Sequence, residues 1–282
     1  MHIDRRLIYA LLFAVVLAPF LLQWKQPPQY INPWTQSLYD YIEKLPPGTP
    51  VLVSFDFDPA VKPELYPMAM AITRHLHRRN ARVIGMTMLP SGVLMVDDVL
   101  NQTGEEAGKR RGEDWVNLGY KTGGLAVILG LGENLKRVFP TDAHLASTAP
   151  LPVLRGVRNY QDIGLLITIS GTGMPGAWIA FAHQRYKVPV AVGTTSVQAT
   201  DYYVYLRTGQ IVGMLNGIAA AAEYEKLIGV PDQAMLGMPG VTACHLLMVL
   251  LVIVGNVAYF ASRRHREEPT AEPPEPPTGE EV

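Results

Sequence analysis

The chain has 282 residues, of which 48% are hydrophobic and 17% charged, with a formal net charge of −1. That length holds one good-sized domain with appendages, and the near-zero charge supplies no basic field for a nucleic-acid partner. The single cysteine, Cys244, excludes an internal disulfide and a cysteine-built zinc cluster.

In chain order, the short segment 1–6 carries Arg5 and Arg6 and is followed by residues 7–24, "LIYALLFAVVLAPFLLQW", uncharged and of membrane-spanning length. No small-x-small cleavage site follows, and Gln23, Trp24 and Lys25 read as an interfacial anchor. The stretch is therefore expected to be an uncleaved signal anchor, not a removed signal peptide. Residues 241–260, "VTACHLLMVLLVIVGNVAYF", form a second such stretch, followed by Arg263, Arg264 and Arg266. On the opposite flanks stands only Lys25, with nothing basic between Lys226 and the second stretch. The positive-inside rule then predicts a two-pass protein of the cell membrane. Both termini would be cytoplasmic and residues 26–240 would form an extracytoplasmic domain. The expected partners are the lipid bilayer, through two transmembrane helices, and membrane proteins or further copies of the chain. Residues 261–282 end in "EEPTAEPPEPPTGEEV", an acidic, proline-rich run expected to be a disordered cytoplasmic tail.

Between the two stretches, strand and helix patterns alternate. "PVLVSFDF" at 50–57, "ARVIGMTM" at 81–88, "DWVNLGY" at 114–120, "GLLITIS" at 164–170 and "VPVAVGTTS" at 188–196 read as strands. Helices are expected from Pro63, over 93–112, over 123–139 and over 176–186, with a loop from Pro140 to about Asp162. The remainder, 199–228, reads as helical. Within it the apolar run 211–222 reads as a buried helix, with Gly213, Gly217 and Ala221 as a small face for close packing. The strands are near-continuously apolar and not alternating, which is the mark of a parallel sheet covered on both faces. The predicted fold is α/β: one Rossmann-like, three-layer domain with a mostly parallel sheet of about five strands.

Residues Gly171, Gly173 and Gly176 are spaced G-x-G-x-x-G after a strand and before a helix, which matches a dinucleotide fingerprint. Against that reading, the motif follows the fourth strand and not the first. The position about twenty residues on, where an acid should hold the ribose, falls among Gly193, Thr194, Thr195 and Ser196. Pro175 removes a backbone donor. Tight turning and close packing are the expected purpose of these glycines, with dinucleotide-linked oxidoreduction the lesser alternative.

Ligands of open parallel sheets bind at the carboxyl ends of the strands near the point where strand order reverses. Those ends carry Asp56 and Asp58, then Ser170, Gly171 and Thr172, then Thr194 and Thr195. They form a candidate binding crevice for a polar small molecule, or for a divalent cation bound through oxygen. "DFDPA" resembles the D-x-D of haloacid-dehalogenase phosphatases, in which one carboxylate attacks phosphorus and the other manages a proton. That family's later lysine and acidic pair have no counterpart here, since Asp97 and Asp98 come too early. Capping of the helix near Pro63 by Asp56 or Asp58 is the plainer expectation. His75 and His77, with Arg74, Arg78 and Arg79, read as a solvated basic helix end. His144 and His183 read as isolated, so no metal triad is expected and no cofactor is assigned. The resulting expectation is a membrane-anchored α/β module that binds a polar small ligand, or scaffolds or senses within a membrane complex. The alternative is a phosphatase-like hydrolase working through Asp56 and Asp58.

Overall fold

Strands buried on both faces need a helical layer on each side, and the chain supplies two. The computed structural model describes residues 5–266, and side chains as far as residue 260; the acidic tail 267–282 lies outside the described residues. In chain order the helices are α1 (Arg5–Leu21), α2 (Pro33–Glu43), α3 (Lys62–Arg78), α4 (Val93–Glu106), α5 (Leu125–Leu131), α6 (Leu135–Val138), α7 (Met174–Trp178), α8 (Gln184–Tyr186), α9 (Tyr203–Arg207), α10 (Gly217–Ile228) and α11 (Gln233–Arg266). The strands are β1 (Pro50–Asp56), β2 (Arg82–Thr87), β3 (Trp115–Tyr120), β4 (Leu165–Ser170), β5 (Val190–Thr194) and β6 (Gly213–Asn216). The chain divides into two units, residues 23–239 and residues 1–22 with 240–282.

In the first unit the strands form one six-stranded sheet in the order β3-β2-β1-β4-β5-β6, with every pairing parallel. This is the doubly wound order of dinucleotide-binding folds, and it reverses between β1 and β4. Alternate residues of β1 face opposite layers. Val51, Val53 and Phe55 join a core with α2, α3, α4 and α10, while Leu52 joins a second core with α5, α7 and the Tyr160 loop. Ser54 and Asp56 share the second face, where they interrupt an otherwise apolar surface.

The sheet has six strands and not about five. Residues 211–215 are apolar without a break, and so short a run does not distinguish strand from helix. Gly213 decides it. A Cβ there would lie 2.7 Å from the Leu38 backbone nitrogen, so the strand fits against α2 only as glycine. Gly217, at φ +66°, then turns the chain into α10. The predicted small helical face of Gly213, Gly217 and Ala221 is therefore divided between a strand and a helix. The helix expected over 123–139 is likewise two short helices, because the Tyr186 ring occupies the space a side chain at Gly132 would need and Asn134 caps the restart through the Arg137 N–H.

The start of α11 is fastened to this unit by the buried Glu225. Its carboxylate accepts from the backbone N–H groups of Asp232, Ala234 and Met235, each at 2.9 Å. These donors belong to the start of a helix, where such groups have no intrahelical partner.

In the second unit, Gly240 of α11 lies against Val16 and Phe20 of α1, where a Cβ would sit 3.5 Å from the Phe20 ring. Among the described residues, one helix is long and apolar enough to cross a membrane, over residues Gln233–Phe260, with a mean hydropathy of 2.3. Of the two expected transmembrane stretches, only the second forms such a helix among the described residues. In the first stretch the described helix runs Arg5–Leu21, 17 residues, about 26 Å at 1.5 Å per residue against a hydrocarbon core of about 30 Å. The helix stops because Gln23 adopts φ +50°, leaving Trp24 beyond its end.

Candidate functional site

Register places the polar strand ends side by side. Asp56 of β1 pairs with Ser170 of β4, Ser170 with Thr194 of β5, and Thr194 with Asn216 of β6. Side chains directly opposite across a ladder share a face, so these four form one polar row beside the point where strand order reverses. Asp56, Ser170 and Thr194 are each completely buried. The row is thus covered by side chains of the layer above it and is not an open crevice.

Asp56 is the ionisable member and has no cationic partner among the described residues. Its carboxylate accepts from the Met88 N–H at 2.6 Å and from the Ser54 hydroxyl at 2.8 Å. Burial outweighs these bonds and pushes its pKa up to about 6. The Trp178 indole N–H approaches the carboxyl without making a hydrogen bond to it, and Thr168 Oγ1, also buried, has no partner among the described residues. Trp178 ends α7 and is followed directly by a π-helical turn, Ile179–His183, a feature that recurs at functional sites.

The loops above the row are tied to one another. The Gly171 N–H donates to the Asp56 carbonyl at 3.2 Å. Gln198 Nε2 donates to the Gly171 carbonyl at 3.2 Å, and the Tyr202 hydroxyl to the Thr172 carbonyl at 3.4 Å. Thr195 is buried beside Thr194, and Glu64 accepts from the Ser196 N–H at 3.0 Å. The half-buried residues Gly171 and Thr172 border this closed surface.

Asp58 does not join Asp56. Its carboxylate accepts from the Ala60 N–H at 2.9 Å, closing a turn of its own. Neither aspartate caps α3, whose N-cap residue Val61 has no side-chain cap bond. The expected capping is corrected on that ground: Asp58 stops one residue short of the helix entry, and Asp56 turns toward β2. Of the three spaced glycines, close packing explains Gly171, where a Cβ would meet Val61 at 2.8 Å; Gly173 and Gly176 border open space. Pro175 lies in the first turn of α7, where a missing N–H costs the helix nothing.

Sequence reasoning missed a second polar group at the same end of the sheet. His144 is not isolated: its Nε2 lies 3.1 Å from Asp97 Oδ1, which also accepts from the Asn117 amide at 2.9 Å. The partners are 47 positions apart and meet because β3 brings Asn117 up beside α4. Next along, Val93, Tyr120, Lys121, Phe139 and Leu145 help to line a cavity of about 390 Å³. No spacing rule in the sequence connects a helix aspartate to a histidine in the 140–162 loop.

At the opposite end of the sheet, His75 and His77 are buried, not solvated. The helix turns them inward against α2 and α4 while Arg78 stays half-exposed. His75 bridges the Tyr224 hydroxyl at 2.7 Å and Glu43 at 2.9 Å and stacks on Tyr39. Burial pulls the pKa of both histidines down to about 4. Among the described residues, no three His, Cys, Asp or Glu side chains group closely enough to hold a metal ion.

No family model matches this chain and no curated protein matches it, so its candidate residues stand on geometry and chemistry alone.

Proposed function

We propose that the chain is a membrane-anchored binding module whose α/β domain takes a small polar ligand at the β1–β4 crossover, with Asp56 as its principal contact. The observation that carries this reading is a fully buried carboxylate that, among the described residues, has no cation, beside two polar atoms without hydrogen bonds there, Trp178 Nε1 and Thr168 Oγ1. Leaving polar groups buried and unpaired costs about 1–3 kcal/mol each, and such departures from good packing concentrate at functional positions. A ligand bearing hydroxyl or amine donors would complete the unfilled acceptor sites of Asp56 and of Thr168. Entry requires α7 and the π-helical turn over Trp178 to move. Thr172, Thr195 and Asp58 border the entrance, with Ser170, Gly171 and Thr194 forming its floor.

The anchoring is read from the apolar length of α11 and from cations. Arg5 and Arg6 open α1, and Arg263, Arg264 and Arg266 lie at the end of α11. We read α1 as a second, short pass, with both termini cytoplasmic and the α/β domain outside. A protease added to intact cells should then digest the domain; protection until lysis would reverse the topology.

The test of binding is a thermal-shift screen of the full chain in detergent against polar metabolites and divalent ions, run beside Asp56→Asn. A ligand that raises the melting temperature of the wild type and not of the variant supports the reading. If every shift is equal in the two proteins, the crossover is not the binding site.

A further inference from the structure

We propose that the cavity between the last turn of α3 and the loop after α4 is a binding site for a phosphate-type oxyanion, held by Lys109, Arg78 and the His77 imidazole. The cavity has a volume of about 470 Å³ and lies at the amino-terminal end of the sheet, away from the Asp56 row.

His77 supplies the first argument. It lines this cavity, is 1% exposed, and neither ring nitrogen has a hydrogen-bond partner among the described residues. His75, two positions earlier and equally buried, has both nitrogens bonded. A buried imidazole with two unbonded nitrogens calls for a specific explanation, and a bound ion is one such explanation.

Charge supplies the second. Arg74, Arg78 and Lys109 line the cavity against one carboxylate, Glu106. Arg74 is fully committed, bridging Glu106 at 2.6 Å and Asp232 at 2.6 Å, and so forms wall and not receptor. Arg78 spends one nitrogen on the Ile228 carbonyl at 2.9 Å and reaches Glu43 only at 3.4 Å. Lys109 gives one bond to Asn80 Oδ1 at 2.6 Å and lies 3.8 Å from Asp114. Donor capacity therefore remains on Lys109, Arg78 and the neutral imidazole, all of which line the cavity. Complementing the carboxyl-terminal dipole of α3 would account for Arg74 and Arg78. It does not account for Lys109, which comes from another segment, or for His77.

The oxyanion has two possible sources, free phosphate or the phosphodiester of a lipid headgroup. The second arises because Val230, in the cavity wall, comes three residues before α11 in the chain; that arm rests on α11 being membrane-embedded.

The experiment titrates inorganic phosphate into the full chain in maltoside detergent, following heat and the histidine ring resonances, with His77→Gln assigning the His77 signal. Wild type should show saturable binding that moves the His77 resonance. Lys109→Met should weaken it about tenfold or more while the unliganded melting temperature stays near wild type; Arg78→Met repeats the test should the first variant fold poorly. Movement of the same resonance in nanodiscs containing phosphatidylglycerol, dependent on Lys109 and absent with free phosphate, assigns the site to a headgroup. An unmoved His77 resonance with both probes, or equal affinity in both variants, overturns the proposal.

Discussion

Asp56 and Ser170 stand directly opposite each other on the final rung of the β1–β4 pair, the one place where the two halves of the sheet meet. The Ser170 hydroxyl accepts from the Thr172 N–H at 3.0 Å, whereas Asp56 turns to the Met88 N–H at 2.6 Å. The same rung thus fixes the loop after β4 and the end of β2. Both bonds favour the charged carboxyl, but burial outweighs them, so the charge is a net cost to the fold.

Asp56→Asn should therefore stabilise the protein at neutral pH. The native carboxyl titrates at about 6 against an ordinary 3.8. Between those values the folded state holds a proton that the unfolded state has lost, so stability falls as pH rises through this window. The asparagine protein should gain about 3 kcal/mol above pH 6 and lose that gain by about pH 4. Chemical denaturation of both proteins at the two pH values checks this; an unstable variant at neutral pH would show that the charge itself is needed.

The two buried histidines predict the opposite slope. His75 and His77 titrate at about 4 when folded against an ordinary 6.5. In that interval the unfolded chain takes up protons that the folded chain refuses, so stability is complete above 6.5 and declines as pH falls. Each should cost on the order of 3 kcal/mol by pH 4. Melting curves of His75→Gln should show a shallower decline on acidification than wild type. In Asp56→Asn the decline should steepen, since the compensating carboxyl is gone.

Glycine substitutions separate packing from ligand approach. Gly213→Ala should destabilise by about 1–3 kcal/mol, because its Cβ would press on the backbone of Leu38 and α2 cannot shift by a side-chain rotation. Gly176→Ala, in open space within α7, should be neutral or stabilising by up to about 1 kcal/mol. Denaturant midpoints of the two proteins provide the comparison. A Gly176→Ala protein that folds normally yet loses a nucleotide-induced shift in melting temperature would restore the dinucleotide reading.

Glu225 offers the sharpest test of how α11 begins. Glu225→Ala leaves three backbone donors without their acceptor, two of them on the buried residues Ala234 and Met235. A loss of at least about 2 kcal/mol is expected. Glu225→Gln retains an acceptor oxygen and should lose less. Hydrogen exchange at Ala234 and Met235 would report the opening directly; equal protection in all three proteins would rule out this anchoring.

Much of the architecture was legible because burial on both faces writes itself into strands as unbroken apolar runs, as in "LLITIS" and "VLVSF", and helices as apolar residues three and four apart. The identity of the polar strand ends was equally plain. The tertiary structure decided the rest. Whether 211–215 is strand or helix depended on Leu38, far away in the chain; whether His144 had a partner depended on Asp97; whether Asp56 was open to solvent depended on Trp178 lying over it. Short apolar runs carry no period that separates strand from helix, and burial of a side chain is set by what folds across it. The sequence by itself determined the parallel layered fold and an apolar carboxy-terminal helix, since both follow from local hydrophobic pattern. Only the packing of distant segments decided which polar groups are enclosed, paired or left with unused hydrogen-bonding capacity.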